Sequence, residues 1–72
     1  MDTLLIARAA QSVFNHAGYG KDEAYQLAQA VAEYIRGNLA TCQKIMGTDD
    51  PFEMAHWLAV ALLKDKPEQQ AA

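Results

Sequence analysis

The sequence predicts an all-α fold: a three-helix domain with a long central helix, completed as a dimeric helical bundle. Three observations predict it. Every periodic apolar signal in the chain has helical spacing, and β-branched residues are few and never alternate as in a strand. Gly20–Gly47 is a long uninterrupted periodic run with no proline and one internal glycine, Gly37. The last helix, from Pro51, is apolar on nearly every side, more than two neighbouring helices would cover.

The first helix is expected over residues 3–17. Asp2 or Thr3 can cap it, and Ile6, Ala10, Val13, Phe14 and Ala17 share one face, with Arg8, Gln11 and Asn15 opposite. Gly18 is its natural stop, because glycine tolerates the left-handed backbone that follows many helix ends.

HAGYGK then forms a turn, with Tyr19 between two glycines. The second helix is expected over residues 21–46, with Asp22 and Glu23 in the first turn where the helix dipole favours negative charge. As one helix it would be about 39 Å long at ~1.5 Å per residue. Its apolar stripe (Ala24, Leu27, Ala28, Val31, Ile35, Leu39, Cys42, Ile45, Met46) is flanked by a heptad-spaced row of Tyr25, Ala32, Leu39 and Met46. That width suits a bundle core better than a two-stranded seam. Gly37-Asn38 is the weak point, but a lone interior glycine costs only ~1 kcal/mol relative to alanine, so the helix is read as continuous.

The third helix is expected over residues 51–66. Gly47 ends the second helix, Asp50 is the N-cap, Pro51 takes the first helical position, and Glu53 is placed to reach back to the cap's N–H. Pro67 ends it, and residues 67–72 are expected to be a disordered tail beyond a single helical domain of residues 1–66.

At 72 residues the chain is near the lower limit for independent folding, burying about 60% of the surface its unfolded form exposes. With one cysteine, Cys42, it has no intrachain disulfide, so regular packing or oligomerisation has to supply stability. The lone thiol and the absence of a signal-peptide pattern in MDTLLIAR point to the cytoplasm. A net charge of −3, with Arg8, Lys21, Arg36, Lys44, Lys64 and Lys66 scattered, gives no basic face for nucleic acid or a membrane surface.

Residues with chemical potential are sparse. His16, Cys42 and His56 fall on three different predicted helices without metal-ligand spacing, so no metal or cofactor is expected. Cys42 lies on the apolar stripe as a structural thiol, and Ser12 has no nucleophile motif around it. Asp22-Glu23 and Asp49-Asp50 sit at helix starts, where capping accounts for them. No catalytic residue and no small-molecule substrate are therefore expected.

AGYGKDEAYQLA, residues 17–28, resembles the loop and following helix of ubiquitin-associated three-helix domains, in which a Met-Gly-Phe/Tyr loop precedes an alanine-containing helix. Here Ala17 stands where that family has methionine, the expected helix is far longer, and ubiquitin binding is not carried over.

The surplus apolar surface of the third helix carries the functional expectation: a small, non-catalytic protein–protein interaction module, a homodimeric regulator or inhibitor that modulates another protein. In size and acidity it is like small phage and mobile-element inhibitors of host proteins. The expected partner or dimer interface is Tyr19, Phe52, His56, Trp57, Val60 and Leu63, since aromatic side chains dominate binding hot spots. The alternative is a helical DNA-binding transcriptional regulator, whose recognition helix would have to be the least polar stretch of the chain.

Overall fold

The computed structural model describes residues 2–64, which form four helices: α1 (Thr3–His16), α2 (Lys21–Gly37), α3 (Leu39–Met46) and α4 (Pro51–Lys64). No strand occurs among the described residues, and the fold is all-α. The end of the expected third helix at residues 65–66 and the expected tail at 67–72 lie outside the described residues.

Asp2 caps α1, its Oδ1 accepting from the N–H groups of Leu4 at 3.1 Å and Leu5 at 3.4 Å. The helix ends in a Schellman motif. Gly18 adopts φ 105°, the Tyr19 N–H donates to the Phe14 carbonyl, and the Gly18 N–H donates to that of Asn15. The hydrophobic contact that accompanies this motif is an edge-on packing of Tyr19 against Phe14, ring centroids 5.9 Å apart.

The expected helix over 21–46 is broken at Asn38, which has φ −134° and ψ 38°. In a continuous helix the Asn38 N–H would bond the Tyr34 carbonyl. Instead the Asn38 side chain takes that carbonyl through Nδ2 at 2.9 Å, and its N–H turns to Ile35. Short polar side chains compete with the backbone in this way, and Gly37 beside it resists bending least. A side chain at Gly37 would meet nothing within 4 Å, so the glycine is not there to admit a neighbouring helix.

Gly47 ends α3 at φ 69°, and α4 begins with a relay of hydrogen bonds. Asp50 Oδ1 accepts from the Phe52 N–H at 2.9 Å, as an N-cap should. Glu53, however, does not reach the Asp50 N–H itself. Thr48 stands between them: its Oγ1 accepts from the Asp50 N–H at 3.1 Å, and its hydroxyl donates to Glu53 Oε1 at 2.6 Å.

The packing centre also differs from the expected one. The element with extensive contacts to two others is α1, which packs against both α2 and α4; α2 and α4 meet each other over much less of their length. Seven of the thirteen buried hydrophobic residues are alanine (Ala7, Ala10, Ala24, Ala28, Ala32, Ala55, Ala59), so the helix backbones approach closely where these meet. Ile6, Phe14, Ile35 and Met54 supply the volume. No buried polar or charged residue occurs among the described residues.

A candidate protein-binding groove

α1 packs extensively on both α2 and α4, which contact each other less, and a groove of about 340 Å³ lies between them. It is lined by Leu27, Ala30, Val31 and Tyr34 of α2 and by Leu58 and Leu62 of α4. The α2 residues stand at i, i+3, i+4 and i+7, and the α4 pair at i and i+4, so each wall is one apolar helix edge. Ala30 keeps the α2 wall low near its middle. Tyr34 and Leu62 are well exposed, at 49% and 39%, and Leu27 and Leu58 are half-buried.

The sequence-predicted interface residues fall elsewhere on the surface. Tyr19 is half-buried against the core, and the Schellman contact with Phe14 accounts for its ring. Phe52 and Trp57 are exposed, Trp57 at 51%, and His56 is exposed with its ring edge-on to Trp57 at 4.9 Å. Val60 is half-buried, and Leu63 is partly buried and packs on the core. None of these six lines the groove. The groove lies on the adjacent edge of α4, where Leu58 and Leu62 follow Trp57 and Ala61 by one residue.

Comparison with protein-family models, curated proteins and solved structures finds no match to this chain.

His16 Nδ1 lies 2.8 Å from the Ser12 carbonyl, one turn back on α1. Cys42 is a free thiol buried under α3. Among the described residues, no group of three or more His, Cys, Asp or Glu side chains is arranged to hold a metal ion. The Arg36–Glu33 ion pair at 2.7 Å is solvent-exposed and contributes at most about 1 kcal/mol. Among the described residues, no helix is long and apolar enough to cross a membrane.

Leu27, Ala30, Val31, Tyr34, Leu58 and Leu62 do not stand out in the sequence as a set. Leu27 and Val31 belong to the core stripe expected there, and Val31 is buried in the core and Leu27 packs against it while both line the groove. The signal present in the sequence was the shared helical spacing of Leu27 with Tyr34 and of Leu58 with Leu62.

Proposed function

We propose that this chain is a small, non-catalytic protein-interaction module that pairs with a second copy through the groove between α2 and α4 and modulates another protein. The observation that carries this reading is the apolar lining of that groove by the side chains of two helix edges. A groove of this kind accepts the apolar edge of a helix, with anchors spaced at i, i+4 and i+7. The exposed apolar residues of α4, Trp57 and Phe52, extend the available surface beyond it. Such exposed apolar surface is a recurrent mark of protein-binding sites. A cytoplasmic regulator or inhibitor is the setting that suits a lone buried thiol and a small helical chain.

Light scattering tests the reading. The wild-type mass should rise with concentration from the 7.9 kDa monomer towards twice that value. Leu62→Glu, which places a charge in the groove without touching the buried core, should hold the protein at monomer mass with its helicity intact. A wild-type monomer at every concentration would remove the self-association part of the reading. Trp57→Ala reports separately on the outer face of α4: a loss of association there, with Leu62→Glu unaffected, would move the interface off the groove.

A further inference from the structure

We propose that the Gly37–Asn38 joint is a hinge, and that α2 and α3 exchange between the bent arrangement and a single straight helix spanning residues 21–46.

The first support is helical phase. In a straight helix Met46 would stand 18 residues, about five turns, beyond Ala28, while Leu39 and Cys42 would flank the line of Ile35. These three are the α3 residues that already meet the core in the bent form: Cys42 is buried, and Leu39 and Met46 pack against it. The apolar phase of residues 39–46 is therefore common to both forms. The bent form is held by the Asn38 side chain on the Tyr34 carbonyl and by the core contacts of Leu39, Cys42 and Met46.

The second support is how lightly α3 is anchored. It has one fully buried residue, Cys42, and sparse contacts with α2 and α4. The connection over residues 47–50 can reach about 17 Å in five Cα steps, longer than α3 itself at about 12 Å.

The third support is Ile45, the most exposed large apolar residue described, at 75%. It lies 18 residues beyond Leu27, again about five turns, so straightening sets Ile45 in line with Leu27 and Tyr34. The hinge thus lengthens the apolar row of the groove. That consequence rests on the groove being a binding surface; the hinge itself does not.

Pulsed electron paramagnetic resonance tests the proposal, with spin labels on Gln26→Cys and Lys44→Cys in a Cys42→Ala background. Both sites are exposed, and a straight helix separates their Cα atoms by about 27 Å, with any bend bringing them closer. The comparison is with the same protein carrying Gly37→Ala and Asn38→Ala, which removes the side-chain cap and favours continuous helix. The ratio of long to short distances should rise on the order of 30-fold. An unchanged short distance in the double variant would overturn the hinge. If circular dichroism shows that the double variant does not fold, Asn38→Ala alone carries the test, with a rise of about 5- to 10-fold. Work at concentrations where light scattering gives the monomer mass keeps this result independent of self-association, so either idea can fail without the other.

Discussion

Ala28 and Ala30 are two residues apart on α2 and should respond oppositely to the same substitution. Ala28 is fully buried on the face packed into the core, whereas Ala30 is exposed in the groove. Ala28→Val pushes two extra carbons into an alanine-lined contact where backbones are close. Overpacking of this kind costs about 1–3 kcal/mol, and the β-branched side chain adds about 0.5 kcal/mol of lost helix propensity. A core this small supplies only about 3–5 kcal/mol in total, so roughly half the stability should go. Ala30→Val carries the same propensity cost, but its added carbons cover apolar wall, and each buried methylene returns up to about 0.8 kcal/mol. Its net effect should be within about 0.5 kcal/mol of zero. Urea denaturation followed by circular dichroism measures both, and in melting temperature Ala28→Val should fall by on the order of 10 °C. Equal losses at the two positions, or a neutral Ala28→Val, would refute the close-packed alanine core and the groove as distinct sides of α2.

Other outcomes follow from the helix ends. A double-mutant cycle with Phe14→Leu and Tyr19→Leu should give a coupling of about 0.5–1.5 kcal/mol, the share of the edge-on ring contact; additive losses would show that Tyr19 is not held by Phe14. Gly18→Ala and Gly47→Ala, both at positive φ, should each destabilise by about 1 kcal/mol, whereas Gly37→Ala, with open space and ordinary φ, should not destabilise. Thermal melts separate these cases. Asp50→Ala and Thr48→Val should each cost about 1 kcal/mol, and less than the sum together, because both serve one cap network.

Helix ends were the most legible part of the sequence because their physics is local. Asp2, Gly18, Gly47, Asp50 and Pro51 stand where caps, positive-φ stops and a first-turn proline were expected. The break at Asn38 was less legible because two local effects had to combine. Glycine alone is a modest cost, but an asparagine able to replace the backbone donor at Tyr34 keeps that carbonyl satisfied across the bend. Thr48 was missed as the intermediary between Asp50 and Glu53, since a loop hydroxyl gives no periodic signal. The groove was hardest to read. Leu27 belongs to an apolar stripe whether or not α4 covers it, and how far α4 stands from α2 is decided by how both pack on α1.

The most direct test of the account is a dilution series of amide and methyl NMR spectra on the full chain. If the groove is the association surface, signals of Leu27, Ala30, Tyr34, Leu58 and Leu62 should shift together with concentration. Those of Leu4, Leu5 and Tyr25, equally apolar and exposed but outside the groove, should stay fixed. Spectra that do not change with concentration, or shifts gathered on Leu4, Leu5 and Tyr25 instead, would contradict it.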